Sequence, residues 1–303
     1  MTTPGTDAEP ATPLSDALRS GAARLADAGV ASPRVDVELL AGHLLGLDRG
    51  GVQLAGLRGA AAPAGLGALV DRRADRVPLQ HLTGRAPFRR LELAVGPGVF
   101  VPRPETEQVA QVAIDEAVRV ARRAGAVLVV DLCTGSGALA LAMADEVPEA
   151  RVHAVELDAD AHAWAARNVA ELALGGRVNL VRGDARTALA ELDGMVDVVV
   201  TNPPYIPPDA IPIDPEVRDH DPAVALYGLG PDGLAVPRGV VAAAGRLLRP
   251  GGLLVMEHAE VQSSAARALV AATGLFDAST TATDLSGRDR MVVARRAHTP
   301  GRA

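Results

Sequence analysis

The chain has 303 residues, 48% of them hydrophobic but only 2% aromatic, with a formal net charge of −7. That length suits one large or two modest domains with a core of Leu, Val and Ala. All 30 basic residues are Arg, which excludes Schiff-base chemistry and a Lys-bearing phosphate loop, and the negative balance argues against a general nucleic-acid binder. A lone cysteine, Cys133, forbids an intrachain disulfide, and the seven histidines show no metal-ligand spacing. No apolar run approaches about 18 residues, and Met1 to Pro13 lacks the basic and apolar regions of a signal peptide. The expectation is a cytoplasmic protein with no membrane partner and no structural metal, with a disordered tail over residues 1–13.

Leu14, Leu18, Ala22 and Leu25 share one helical face, and Gly29 stops that helix. Ser32-Pro33 opens a second helix, with Val35, Leu39, Leu40 and Leu44 as its apolar stripe. A third helical stretch runs from Leu66 to Arg76, so residues 14–85 read as a small helical domain without reactive groups. Its His43 and His81 read as surface or capping residues. Leu91, Leu93 and Val95, a turn at Gly96-Pro97-Gly98, and a return through Val99-Phe100-Val101 predict a β-hairpin linker over 86–104. Glu105, Thr106 and Glu107 then start a helix, its acids favoured by the helix dipole; nothing in this pattern requires more than helix initiation.

From there strand and helix alternate, with strands near 126–132, 151–157, 177–182, 195–201 and 252–257. That is the pattern of a doubly wound parallel sheet, an α/β fold spanning residues 105–296. Phe276 to Thr283 and Arg290 to Val293 add an antiparallel ribbon, and 297–303 is a C-terminal tail.

The first of these strands leads into Asp131-Leu132-Cys133-Thr134-Gly135-Ser136-Gly137, where Gly135 and Gly137 let a ligand approach the backbone at a helix N-terminus. With Ala140 the loop also satisfies the dinucleotide fingerprint G-x-G-x-x-[GA], which keeps a nicotinamide cofactor open. Glu156 ends the second strand, where an acid can accept both ribose hydroxyls of an adenosine. Asp184 ends the third, at adenine height. The fourth runs into Asn202-Pro203-Pro204-Tyr205, at the carboxyl edge where open α/β sheets bind ligands. The two prolines fix φ and leave the Asn carboxamide and the Pro203 carbonyl as rigidly aimed polar groups, and Tyr205 offers an aromatic face to a planar amide or amine.

On these motifs the chain resembles the protein-(glutamine-N5) methyltransferase family that modifies peptide-chain release factors, from about residue 14 to 296. The carrying segments are Gly84 to Phe88, Phe100-Val101-Pro102-Arg103-Pro104-Glu105-Thr106-Glu107, the glycine loop, Asn202-Pro203-Pro204-Tyr205-Ile206, Asp221-Pro222, Ala225-Leu226, Asp232-Gly233-Leu234, and Asp284 through Arg290. The resemblance implies a class I, Rossmann-like methyltransferase sheet, an N-terminal all-α domain that meets the release factor, and the hairpin linker. It implies S-adenosylmethionine held by Asp131, Cys133, Thr134, Gly135, Ser136, Gly137, Glu156, Asp184, Ala185 and Asn202. Asn202, Pro203, Pro204 and Tyr205 then bind the substrate glutamine of a class 1 release factor, with Asn202, Pro203 and Tyr205 catalytic.

Three positions depart from the family pattern. Cys133 stands where the family has glycine and is expected to keep a negative φ. Ala185 replaces a bulky residue, and Glu257-His258-Ala259 stands where the family carries Glu-x-Gly; a structural role is expected of His258 rather than that of a general base. An adenine-N6 nucleic-acid methyltransferase could use the same tetrapeptide on a flipped base. A non-catalytic module that only binds an adenosine cofactor is the alternative from another class.

Overall fold

The structure, a computed structural model, describes residues 12–298. In chain order its helical part holds α1 (Leu14–Asp27), α2 (Pro33–Leu45), α3 (Arg49–Leu57), α4 (Leu66–Ala74) and α5 (Leu79–Thr83). A hairpin of β1 (Arg85–Phe88) and β2 (Leu91–Ala94) follows, then α6 (Thr106–Ala124), β3 (Val127–Leu132), α7 (Ala138–Glu146), β4 (Ala150–Glu156), α8 (Ala159–Glu171), β5 (Val178–Arg182) and β6 (Val196–Thr201). The remainder is α9 (Pro215–His220), α10 (Ala223–Leu226), α11 (Ala235–Leu247), β7 (Leu248–Glu257), α12 (Ser263–Ala272), β8 (Thr280–Thr283) and β9 (Asp289–Arg295). The chain divides into two compact units: one runs through Gly84 and also takes Asp214–His220, and the other comprises Arg85–Ile213 and Asp221 onward.

The helical unit packs Leu14, Leu18, Leu25, Val37, Leu40, Val52 and Val70 into one core. Pro33 at the first turn and left-handed Gly46 past the end delimit α2, although the Ser32 side chain makes no capping bond. The stripe expected on α2 is shifted: Val37, Leu40 and Ala41 are buried, whereas Leu39 and Leu44 are exposed. Two acids take the places between them. Glu38 accepts hydrogen bonds from Arg34, Arg49 and Gln53, and Asp36 accepts one from Arg73 at 2.7 Å. Sequence periodicity missed α3, whose N-terminus is capped by Asp48 accepting from the Gly51 amide at 2.7 Å.

Helix α9 belongs to this unit, although the sequence pattern runs the sheet domain unbroken from 105 to 296. Its Glu216 carboxylate accepts from Arg73 at 2.7 Å and from two nitrogens of Arg76 at 2.8 and 2.6 Å. At the start, the Thr12 carbonyl accepts from the Ala62 amide and Pro13 pairs with Ala61, so the last two residues of the expected tail are structured; Met1 to Ala11 lie outside the described residues. Ala297 is likewise buried and bonded to Leu275, and 299–303 lie outside the described residues.

The hairpin is shorter and earlier than expected. Its strands pair Arg85 with Ala94 through Phe88 with Leu91, turning at left-handed Arg89, and Val99 to Val101 form no strand. Pro102 and Pro104 lack the amide donors a returning strand needs. The segment from Gly96 to Gly98 packs instead on Trp164, whose indole N–H donates to the Pro97 carbonyl at 3.1 Å.

The large sheet has the order β5-β4-β3-β6-β7-β9-β8, parallel except where β9 pairs antiparallel with β7 and β8. The Val-rich central strands are buried on both faces between two helix layers, which is why their sequences are continuous apolar runs and not alternating ones. Chain direction across the sheet reverses between β3 and β6. Their carboxyl ends form the topological switch point, where ligands bind in such sheets.

Candidate active site

Asn202-Pro203-Pro204-Tyr205 lies at that switch point, immediately after β6. Thr201 donates to the Leu132 carbonyl at 2.5 Å and so clamps the ends of β6 and β3 together. Beyond the prolines, the Ile206 amide donates to Leu226 at 2.9 Å, the Gly228 amide donates to Ile206 at 3.1 Å, and Gln262 donates to the Tyr205 carbonyl at 2.8 Å. A Cβ on Gly233, whose φ is +70°, would sit 2.7 Å from the Tyr205 carbonyl oxygen. Leu226, Gly228 and Gly233 are thus the backbone cradle of the tetrapeptide.

The Asn202 Nδ2 donates to the Thr106 hydroxyl at 3.3 Å, and Thr106 donates to Glu257 at 2.7 Å. Tyr205 donates its phenol to the other Glu257 oxygen at 3.3 Å. With Nδ2 engaged, Asn202 Oδ1 accepts no hydrogen bond among the described residues, and neither does the Pro203 carbonyl. Burial pushes the Glu257 carboxyl up to about 7 against the pull of Thr106, Arg290 and Tyr205. Burial and the same glutamate raise the Tyr205 phenol, which stays protonated.

Asp131, the last residue but one of β3, is fully buried, its Oδ2 accepting from the Thr134 hydroxyl at 2.5 Å and the Ala140 amide at 3.0 Å. Its Oδ1 is buried with no partner among the described residues, and burial moves the carboxyl up to about 7. Glu156 grips the glycine loop, accepting from the Gly135 and Asp158 amides at 2.8 Å each, which uses one lone pair of each oxygen. Gly135 has a φ of +58° and open space where a side chain would stand, whereas a side chain on Gly137 would strike Leu141 at 2.9 Å. Ser136 is tied by its carbonyl to Asn168, which also bridges the Ala94 backbone. An unpartnered buried carboxylate oxygen, a gripped glycine loop and two further acids at strand ends fit a ligand that is cationic at one end and rich in hydroxyl donors. They fit the anionic pyrophosphate of a dinucleotide poorly.

Other positions differ from expectation. Cys133 has a φ of +64°, not a negative one, so its side chain is carried in the left-handed region that favours glycine. Burial, with Glu156, Asp131 and Asp184 nearby, pushes its thiol pKa up. Asp184 is paired within its own loop to Arg186 at 2.5 Å, and Ala185 is buried in the core cluster beside Leu189 and Val240. His258 is buried, its Nδ1 against the Ala259 carbonyl at 2.9 Å, and burial lowers its pKa.

Sequence reasoning missed Thr106, Glu257, Gln262 and the pair formed by Arg103 and Asp221 at 2.5 Å, where Arg103 also stacks 4.9 Å from the Phe100 ring. The dense Pro-Arg-Pro-Glu-Thr-Glu run was the available signal. No group of three or more potential metal ligands occurs among the described residues.

Residues 16–84 match the family model of the PrmC N-terminal domain, and residues 105–211 match that of the methyltransferase small domain. The release factor glutamine methyltransferase of Streptomyces coelicolor is 52% identical over 275 residues, covering 90% of this chain and 95% of the relative. That of Mycolicibacterium smegmatis is 49% identical over 287 residues, covering 94% and 98%. The 4-amino-L-phenylalanine/4-methylamino-L-phenylalanine methyltransferase of Streptomyces pristinaespiralis is 42% identical over 266 residues, covering 86% and 88%. Among solved structures, the catalytic domain of hMettl16 in complex with an RNA hairpin shares the fold at a TM-score of 0.52 and 14% identity, covering 68% of this chain and 76% of that one.

Proposed function

The chain belongs to the release factor glutamine methyltransferase family, and from that premise we infer that it methylates the glutamine side-chain amide in the Gly-Gly-Gln motif of class 1 peptide-chain release factors. The observation that carries this reading is the Asn202 carboxamide, held by its nitrogen and with its oxygen open, beside the Pro203 carbonyl at the end of β6. Two fixed acceptors on a rigid turn suit a planar N–H₂ group.

S-adenosylmethionine supplies a methyl group on a positively charged sulfur when bound. The loop from Asp131 to Gly137, with Glu156 and Asp184, would hold it: Glu156 has free lone pairs for ribose hydroxyls, and the Asp131 carboxylate suits a cationic head. Asp184, paired with Arg186 at 2.5 Å, would be the acceptor for an adenine amine through its remaining lone pairs.

An amide nitrogen is a poor nucleophile because its lone pair is delocalised, and its proton is too weakly acidic for prior removal by a side chain. Activation is therefore geometric. Asn202 Oδ1 and the Pro203 carbonyl each accept one N–H of the glutamine, which leaves the nitrogen lone pair free to take the methyl group, and one of the two N–H protons is lost after the transfer. Such orientation lowers barriers by up to about 7–11 kcal/mol in ideal intramolecular cases. Tyr205, anchored through its phenol to Glu257, walls the amide plane and excludes water.

The flanking glycines of Gly-Gly-Gln let an exposed loop enter the site without side-chain clashes. The helical domain of residues 14–85 holds the folded factor by a second surface, so a short peptide reacts more slowly than the intact protein. The reaction takes place in the cytoplasm, with no membrane or direct nucleic-acid partner; no helix of the described residues is long and apolar enough to cross a membrane.

Incubation with labelled S-adenosylmethionine tests this reading. Label is expected on a purified release factor and not on its Gln-to-Ala form, on an adenine-containing oligonucleotide, or on 4-aminophenylalanine. Label on either of the last two in place of the factor assigns the site to a nucleobase or an aromatic amine.

A further inference from the structure

We propose that Thr106 is a positioning residue for methyl transfer: backed by Glu257, its hydroxyl sets which end of the Asn202 carboxamide faces the substrate. This inference rests on the role given to Asn202 above.

Thr106 is the first residue of α6, just inside the N-cap Glu105, and its hydroxyl bonds away from the helix end, to Glu257 and Asn202. It reaches Glu257 at the end of β7, 151 residues away in the chain, and does so while buried. A hydroxyl has one proton. Because that proton is committed to Glu257 at 2.7 Å, Thr106 shows only lone pairs to Asn202. A lone pair is satisfied by the Nδ2 end of the carboxamide, which is the end found there at 3.3 Å, and is repelled by the Oδ1 end. The chain from Glu257 through Thr106 to Asn202 Nδ2 therefore leaves Oδ1 as the outward atom, an acceptor for the substrate N–H. A reversed carboxamide would present a donor to a donor.

Glu257 holds the other side of the tetrapeptide as well, through the Tyr205 phenol at 3.3 Å. The charged and titratable groups facing it are Arg290, itself paired with Asp284 at 3.0 Å, the phenol of Tyr205, and Glu105. Ionised, Glu257 accepts from Thr106 and Tyr205 together. Protonated, it can donate to Thr106, which frees the Thr106 proton for Asn202 Oδ1 and favours the reversed carboxamide. With burial placing this carboxyl near 7, turnover should climb as pH rises through neutrality.

The test measures kcat and KM for a purified release factor, and S-adenosylmethionine affinity by calorimetry, for wild type, T106S, T106V and E257Q across the neutral range. T106V should lose roughly 10- to 100-fold in kcat, with KM and cofactor affinity within about threefold of wild type. T106S should recover most of that loss, and E257Q should flatten the acid limb of the kcat profile. If T106V does not fold, as read by thermal melting, the T106S rate and the E257Q profile carry the decision. The proposal is overturned by wild-type kcat in T106V, by a loss confined to KM or cofactor affinity, by T106S as slow as T106V, or by an unaltered acid limb in E257Q. An inactive wild type, or a fully active N202A, instead overturns the underlying reading of Asn202.

Discussion

Replacing Glu216 with Ala should loosen the helical unit while leaving the sheet unit unchanged. Glu216 is 9% exposed, and its carboxylate accepts three charge-assisted hydrogen bonds, one from Arg73 and two from Arg76. These hold the carboxyl below the usual carboxylate range. Breaking a buried ion pair from one side costs about 3–5 kcal/mol because it strands the partner. Two features reduce the figure here. Arg73 keeps Asp36 at 2.7 Å, and Arg76 is 25% exposed and can rehydrate. A loss of roughly 2–4 kcal/mol follows, which corresponds to about 30- to 900-fold faster exchange for amides that exchange by opening of this unit. Hydrogen exchange read by mass spectrometry on the full chain should show that acceleration in peptides from α4 and α9, with β3 and β4 unaltered. E216Q should fall between. Because the folded-state pKa is depressed, the contribution is present above the ordinary glutamate pKa and disappears as pH falls through the folded value. Protection of α4 unchanged within tenfold would refute the ion cluster as the tether of α9.

Asn202→Ala removes the acceptor proposed to orient the amide and should lower kcat by more than about tenfold, 1.4 kcal/mol in barrier, with S-adenosylmethionine affinity by calorimetry nearly unchanged. Glu156→Ala should do the reverse, weakening cofactor binding by roughly 1.5–3 kcal/mol through lost ribose contacts; equal affinity would remove Glu156 from the pocket. Gly233→Ala forces a left-handed residue against the Tyr205 carbonyl, at a cost of at least about 1–2 kcal/mol in backbone strain alone, and should lower both Tm and kcat. A Gly233→Ala enzyme with wild-type melting and turnover would contradict the cradle described for the tetrapeptide.

The sheet was legible because a parallel strand buried on both faces must be an uninterrupted apolar run, as at Val196 to Val200. The glycine loop and Asn-Pro-Pro-Tyr were legible because they combine rare backbone demands with strand ends. What escaped depends on partners distant in the chain. Nothing local to Thr106 announces Glu257, and nothing local to Glu216 announces Arg73, 143 residues earlier. The buried Asp36 and Glu38 broke the apolar stripe of α2 because arginines from other helices neutralise them. At the hairpin, alternation pointed to a return strand at Val99, but Val99 and Val101 are buried without joining the ladder. Cys133 was misread for another reason: in the left-handed region the loop's geometry overrides the residue's own preference.

The most direct test of the account is the atom that receives the methyl group. Release factor incubated with the enzyme and S-adenosylmethionine should be digested and the Gly-Gly-Gln peptide fragmented by mass spectrometry. A single methyl mass increment on the glutamine, lost on hydrolysis as methylamine, is the predicted result. A methyl group on any other residue, or an unmodified peptide when the cofactor has been consumed, would contradict it.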